Sequence, residues 1–234
     1  MTNTDLARHP RLQLGCLEVS APDAMEILRV YTAPPGSRWT ARARDFYSWP
    51  YYDGLSTGSQ QNELNDGDLL ASVLLNVNPK IHGFATLQAL RPQLEAGLSE
   101  IPSDRDLADA SDAEIELVAQ LFAPLGRTGL LGVKGTVLAK VLHRKRPRLI
   151  PLYDTFVSDA YNGSRIEPNP TRSWSEYVAE LMTEMRKDLR EPADTWQAIR
   201  DRCAYLPGVG SMQLTSLRIL DILVWSLGKK SSTL

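Results

Sequence analysis

An aspartate at the start of a helical segment is the residue of this chain best placed to do chemistry. Asp154 precedes an apolar helical pattern that begins at Phe156, so it occupies the position of a helix N-cap. A carboxylate at an N-cap accepts a backbone N–H and contributes about 1 kcal/mol. The same hydrogen bond would hold the carboxylate ionised and fixed, as a group that stabilises positive charge or orients a water molecule must be. Asp154 is therefore a candidate catalytic residue or a structural cap, and the two roles are compatible.

A second chemical feature is a long segment without acidic residues. No Asp or Glu occurs from Leu117 to Tyr153, although this basic segment holds seven Lys and Arg residues and the rest of the chain holds 19 basic and 28 acidic ones. An unbalanced basic segment in an acidic protein can attract a polyanion. Cations near the C-terminal end of a helix also suit its dipole, and this structural explanation stays open.

The residues from Gly132 to Asp154 resemble the helix-hairpin-helix of base-excision DNA glycosylases and the proline–aspartate element that follows it. The match consists of Gly132-Val133-Lys134-Gly135, the small residue Ala139, Pro147 and Pro151, and finally Asp154. In that family a glycine turn presents backbone N–H groups to a DNA phosphate at a helix N-terminus, and a catalytic aspartate begins a later helix. Together with the charge, the resemblance implies that Asp154 is catalytic and that DNA is bound by Gly132, Lys134, Gly135, Lys140, Arg144, Lys145, Arg146 and Arg148.

Departures from the family pattern narrow the expected activity. The turn is one residue longer than Gly-Val-Gly, and no lysine occurs between Lys80 and Lys134. The Schiff-base lysine of bifunctional glycosylases sits just before the hairpin, so its absence implies a monofunctional enzyme. A second turn, 206–210, matches the consensus better, but Leu214 takes its small-residue position and no proline–aspartate element follows. The sequence leaves open whether the turn at Gly132–Gly135 or the one at Gly208–Gly210 contacts DNA.

The elements that position these residues are predicted to be almost entirely helical. Apolar residues recur at 3.6-residue spacing, and capping boxes begin at Ser111 and Ser173. The glycosylase resemblance extends upstream to about residue 66 and implies an all-α, helix-hairpin-helix DNA-glycosylase-like fold. Residues 1–65 are expected to form an N-terminal region of mixed short elements, and residues 66–234 a helical core packed as one unit.

Three local predictions accompany this fold. A helix is expected over residues 37–49, and the helix over 83–98 is expected to break at Pro92. Asp221 lies in an apolar helix, where a carboxylate is costly unless it is paired. Arg218 precedes it by one turn, so we expect the two to form a buried structural pair.

Composition excludes several functional classes. The chain has 234 residues with two cysteines, Cys16 and Cys203, and three isolated histidines, which excludes a disulfide scaffold and any four-cysteine metal site from one chain. No metal and no cofactor are predicted, since no phosphate-loop, dinucleotide or metalloprotease motif occurs. The first ten residues include Asp5 and Arg8 and no apolar stretch, so no signal peptide is predicted. A cytoplasmic protein with no membrane partner is expected, and its oligomeric state stays open.

Two functional hypotheses follow. The first is a DNA-binding, monofunctional DNA-glycosylase-like protein that inspects or excises a base of duplex DNA through Asp154. The alternative is a non-catalytic nucleic-acid-binding or protein-interaction scaffold with the same fold. The sequence does not decide whether the protein is an enzyme, and the surroundings of Asp154 are the feature that separates the two. The chain as a whole is also similar to an uncharacterised family found mainly in actinobacteria, which implies no activity.

Overall fold

The chain is mainly α-helical, as its sequence predicts. The computed structural model describes residues 6–34, 50–127, 130–209 and 212–231, and the predicted helix over 37–49 lies outside them. An antiparallel hairpin of two short strands, β1 (Leu12–Leu14) and β2 (Leu17–Val19), comes first. The α-helices of the described residues are α1 (Ala21–Tyr31), α2 (Asp66–Leu70), α3 (Lys80–Ser99), α4 (Asp112–Gln120), α5 (Gly135–His143), α6 (Thr155–Tyr161), α7 (Trp174–Arg190), α8 (Ala193–Cys203) and α9 (Ser216–Ser231).

Local side-chain caps fix where several helices begin. The capping boxes that start at Ser111 and Ser173 are both present, at the beginnings of α4 and α7. A third box begins α2, where the Asn65 side chain accepts the N–H of Asp68 at 3.1 Å and the Asp68 carboxylate accepts the N–H of Asn65 at 3.0 Å. Each box satisfies backbone N–H groups that have no partner inside the helix.

Helix α3 runs through Pro92, so the break expected there does not occur. A proline removes one backbone hydrogen bond from a helix interior. The side chains of Leu87, Leu90, Leu94 and Leu98 are nevertheless buried on both sides of Pro92, so packing against the core holds the two halves in line. Pro92 itself is exposed.

The β-hairpin is anchored on the helical body through its turn. Gly15 adopts φ +65° and donates its N–H to Asp188 Oδ2 at 2.7 Å, and the N–H of Cys16 donates to the carbonyl of Ala160 at 2.7 Å. A Cβ on Gly15 would lie 2.2 Å from that carbonyl oxygen. Only glycine fits here, because the turn needs both a positive φ and this close approach.

One continuous hydrophobic core joins the N-terminal region to the helices after residue 66. It includes Leu14 of β1 and Leu28 of α1 as well as Leu138 of α5 and Leu220 of α9. Helix α1 packs on α8 and α9, α4 packs on α7, and α6 packs on α9. Every residue of α5 except Thr136 is buried, so this helix carries its polar residue Lys140 through the interior.

Candidate active site

Asp154 caps helix α6, as predicted. Its backbone is extended (φ −152°, ψ −173°), and its Oδ1 accepts the N–H of Val157 at 3.0 Å. The preceding Tyr153 fixes the approach of the chain, because its ring packs edge-to-face on those of Trp174 and Tyr177, with 5.8 Å between centroids in both pairs. Asp154 is half-buried, so the cap holds the carboxyl group while part of the residue meets solvent.

Lys140, in the middle of α5, is a buried lysine residue. The residue is 4% exposed, and within the described ranges no carboxylate oxygen lies within 4.0 Å of its Nζ. Burial lowers the pKa of Lys140, and the negative charges of Asp221 and Asp154 oppose that shift. Both carboxylates therefore lie within electrostatic range of the ammonium. Burying a charge without an ion pair is costly, and the shift brings the amine closer to exchanging protons near neutral pH.

The carboxylate of Asp221 is paired with Arg218, which confirms the predicted buried pair. Arg218 Nη1 donates to Asp221, while its Nε and Nη2 donate to the two oxygens of Asp53 at 2.8 and 2.9 Å. Arg218 Nη2 also lies 3.0 Å from the Tyr31 hydroxyl. Burial raises the pKa of Asp221 to about 6, with Arg218 lowering it and Asp154 raising it. We call Lys140, Asp154, Arg218 and Asp221 the interior cluster.

Next to the interior cluster, His143 and Tyr52 use their polar groups to hold α5. His143 Nδ1 lies 2.7 Å from the carbonyl oxygen of Ile150, and the ring stacks on Tyr52 with 6.2 Å between centroids. The Tyr52 hydroxyl donates to the carbonyl of Lys140 at 2.6 Å. Burial lowers the pKa of His143 to about 4. The imidazole is therefore neutral at physiological pH and adds no charge to the cluster.

Arg146 of the basic segment is buried and binds the protein itself. Its guanidinium donates to the carbonyls of Leu98 and Ile101 at the end of α3, and to Gln61 and Asn62 in the loop before α2, at 2.6 to 3.2 Å. The last carbonyl groups of a helix lack hydrogen-bond donors within the helix. The guanidinium of Arg146 donates to two carbonyl groups at the end of α3. With 1% of the residue exposed, its burial argues against the predicted contact with DNA, and the burial of Lys140 does so for the same reason.

The three other cations of the run 144–148 also have partners within the protein. Arg144 donates to two backbone carbonyls of the loop before α2, and Lys145 Nζ lies 2.9 Å from Asp68 Oδ2. Arg148 pairs with Asp106, Nε to Oδ1 at 2.9 Å, on the surface. The side chains of this run are thus engaged within the protein, mostly by carbonyl oxygens, which leaves them less available for contact with DNA phosphates.

The turn at Gly132–Gly135 leads into α5. Gly132 adopts φ +74°, and a Cβ on it would lie 2.7 Å from the backbone N of Gly83. A Cβ on Gly135 would lie 2.5 Å from the Trp174 ring. Lys134 is exposed, and within the described part of the chain it forms no ion pair. Among the predicted nucleic-acid-binding residues, Lys134 is therefore the exposed cation that no carboxylate of the described residues pairs with.

The second candidate turn packs against the end of α1. A Cβ on Gly208 would lie 1.3 Å from the carbonyl oxygen of Thr32, so the two backbones touch. Gly210 lies outside the described residues. This close packing of the two backbones is enough to explain why position 208 needs glycine, and a bound ligand is not required for that explanation.

A surface cleft of about 610 Å³ is lined by Arg148, Gln197, Arg200, Tyr205 and Gln213, among others. The cleft lies apart from the interior cluster, and neither Asp154 nor Lys140 lines it.

The described residues contain no group of three or more His, Cys, Asp or Glu side chains that could hold a metal ion. No helix in these ranges is both long and apolar enough to cross a bilayer.

A protein-family model described as "Family of unknown function (DUF6308)" matches residues 24–228. The chain belongs to this family. The match extends from α1 to α9 and includes the whole interior cluster. Searches of curated proteins and of solved structures found no match.

The structure brings together residues that sequence reasoning kept apart. The charge of Lys140 assigns it to the basic segment in the sequence. Its neighbours Val137, Leu138 and Val141, however, indicate an apolar helix face. This pattern is the signal that could have placed Lys140 inside. Asp53 has no comparable signal, because it reaches Arg218 only through tertiary packing.

Proposed function

We propose that the protein is an enzyme of the DNA-glycosylase type, in which Asp154, Lys140 and Asp221 carry out hydrolysis of the bond between a base and its sugar. The observation that carries the proposal is Lys140, a residue that is 4% exposed, has no ion pair among the described residues and is in electrostatic range of two carboxylates. A folded protein rarely keeps a buried, unpaired charge, because it costs stability. Groups with such perturbed titration are enriched at functional sites.

The cluster has the groups that such a hydrolysis needs. The sugar becomes positively charged as the base departs, and the carboxylate of Asp154 stabilises that charge and orients the attacking water. The departing base needs a proton, which the lowered pKa of Lys140 makes easier to donate. The proton of the attacking water passes to a carboxylate of the cluster. Asp154 is the half-buried member, so we place the substrate on its side.

The nucleic-acid part of the proposal is supported by local architecture rather than by charge. A glycine turn at Gly132 leads into α5, and Asp154 begins α6 after an extended connector. This order is the one that the helix-hairpin-helix resemblance implies. The glycosylase-like arrangement of the whole fold is part of the same proposal.

The test is release of a base from duplex oligonucleotides that each contain one damaged or mismatched base. We expect the Asp154→Asn variant to keep its fold, because Asn is nearly as good an N-cap as Asp, and to lose activity by about 10²- to 10³-fold. Asp159→Asn is the matched control, because Asp159 is an exposed carboxylate on the same helix. No trapping of a covalent adduct by borohydride is expected, since Lys140 acts as a proton donor. Failure of the wild-type protein to release any base would contradict the proposal.

A non-catalytic scaffold is the second candidate, and one observation favours it. Asp154 is already used as a cap and the cations at 144–146 already hold a loop, so each has a sufficient structural role. In a scaffold, replacing Lys140 would improve stability at no cost to binding. In an enzyme, the same change would abolish turnover.

A further inference from the structure

Two glycines bring the start of α3 against the loop before α5. A Cβ on Gly83 would lie 2.7 Å from the carbonyl oxygen of Gly132, and the reverse approach, from Gly132 to the N of Gly83, is equally close. Thr86 Oγ1 donates to the carbonyl of Leu131 at 2.9 Å. The first turn of α3 and residues 131–134 therefore form one continuous surface.

This surface combines free cations with exposed apolar side chains. Ile81 is 73% exposed and Leu131 is 61% exposed. Lys80 and Lys134 are exposed, and neither takes part in an ion pair with any residue that the structure describes. His82 is exposed next to them. We call these five residues the α3–loop patch.

The patch lies in a part of the molecule that is poor in acidic groups. No Asp or Glu occurs over residues 69–94 or 117–153, which include every residue of the patch. Asp66 contacts α3 at Gln88 and Arg91, beginning seven residues after Ile81 and hence about 10 Å further along the helix. Arg91 already pairs with it. Lys80 and Lys134 therefore carry charges that no carboxylate of the described residues pairs with.

We infer that the α3–loop patch is the surface that binds the sugar–phosphate backbone and groove of duplex DNA. The inference rests on the proposed function and names the face through which that substrate is held. It moves the electrostatic contact from the cations at 144–148, which are used internally, to Lys80 and Lys134, which have no ion pair among the residues that the structure describes. Charge complementarity selects a polyanion, and Ile81 and Leu131 supply the apolar contact that DNA-binding proteins make with base steps or sugars.

Fluorescence anisotropy with a labelled duplex, measured across a salt series, tests the inference. We expect the Lys80→Gln/Lys134→Gln double variant to bind more weakly and to reduce the log–log salt slope by about two, since each lost phosphate contact removes about 0.9. Arg8→Gln/Lys187→Gln is the control, because it removes two exposed cations that lie on other elements. The control should leave the slope unchanged.

A second variant separates the apolar contact from the charge. Ile81→Ser/Leu131→Ser should weaken binding by roughly 10-fold at every salt concentration and leave the slope unchanged, because no charge is altered. Circular dichroism melting of each variant shows whether the fold is retained. Equal weakening by the patch and control variants would contradict the inference.

The outcomes distinguish this inference from the proposed function. Binding that depends on the patch without any base release supports the surface and contradicts the chemistry. Base release with patch variants that bind as tightly as the wild type supports the chemistry and overturns the surface. If the wild-type protein binds no duplex, or if an acidic polypeptide of equal charge displaces the duplex completely, the inference is overturned.

Discussion

Arg218 and Asp53 are 165 residues apart in sequence and form two hydrogen bonds, Nε to Oδ1 at 2.8 Å and Nη2 to Oδ2 at 2.9 Å. Arg218 also holds Asp221, so one guanidinium pairs with two carboxylates. This contact ties the segment before α2 to the last helix. It also sets the charge next to Lys140.

Removing that guanidinium should destabilise the fold strongly. Arg218→Met leaves Asp53 and Asp221 without their cation, and breaking a buried pair in this way costs about 3–5 kcal/mol. Urea denaturation measures the change. Arg11→Met is the control, because Arg11 pairs with Glu18 on the surface and such a pair contributes less than about 1 kcal/mol. Equal free energies of unfolding in the two variants would show that the ion pairs of Arg218 do not stabilise the fold.

Two neighbouring arginines should respond very differently to the same substitution. Arg146→Met removes a charged donor from the carbonyls of Leu98 and Ile101, and we expect a loss of about 3 kcal/mol, because several hydrogen bonds from a buried charged group are lost together. Arg148→Met breaks only a surface pair with Asp106 and should cost less than about 1 kcal/mol. Thermal melting of both variants measures the contrast, which a DNA-binding role for Arg146 would not produce.

Asp221 and His143 should make opposite contributions to the pH dependence of stability. Burial raises the pKa of Asp221 from 3.8 to about 6, so its stabilising contribution is complete below pH 3.8 and is lost as the pH rises through 6. Burial lowers the pKa of His143 from 6.5 to about 4, so its contribution is complete above pH 6.5 and is lost as the pH falls through 4. Since one pKa unit is about 1.4 kcal/mol, each contribution is about 3 kcal/mol.

The two effects nearly cancel between pH 6.5 and pH 4, and single variants should separate them. Asp221→Asn should lose about 3 kcal/mol on acidification across this interval relative to the wild type, because only the His143 contribution remains. His143→Gln should gain a similar amount on the same change. The free energy of unfolding from urea titrations at both pH values gives the comparison. Parallel pH profiles in all three proteins would show that neither group titrates as described.

Replacing Lys140 should improve stability and abolish the proposed activity. Lys140→Met keeps the length of the side chain and removes a charge that is buried without an ion pair, so we expect the free energy of unfolding to rise by about 1 kcal/mol or more. Lys134→Met is the control on the same segment, and its exposed position should keep the change within about 0.5 kcal/mol. A destabilised Lys140→Met protein would indicate that the ammonium has a structural partner in solution.

Much of the fold could be predicted because its signals are local. The capping boxes at Ser111 and Ser173, the cap at Asp154 and the apolar last helix each depend on residues within one or two turns. The break expected at Pro92 was wrong because burial of leucines on both sides outweighs one missing hydrogen bond.

The surroundings of the charged side chains could not be predicted in the same way. A run such as 144–148 looks the same in sequence whether its cations meet solvent or carbonyl oxygens 45 to 92 residues away. The difference is set by tertiary packing, which buries Arg146 and leaves Lys134 exposed. The pair of Arg218 with Asp221 was predictable because it spans one helical turn, whereas its pair with Asp53 was not.

The bonds from α5 and the residues after it to the loop before α2 have an evolutionary consequence. Arg144, Lys145 and Arg146 bind this loop mainly through its backbone carbonyls, at Tyr52, Leu55, Gln60 and Gln61. A carbonyl is the same whatever side chain its residue carries. The side chains of the loop can therefore change during evolution while its backbone path stays the same. Arg144, Lys145 and Arg146 are the residues on which that path depends.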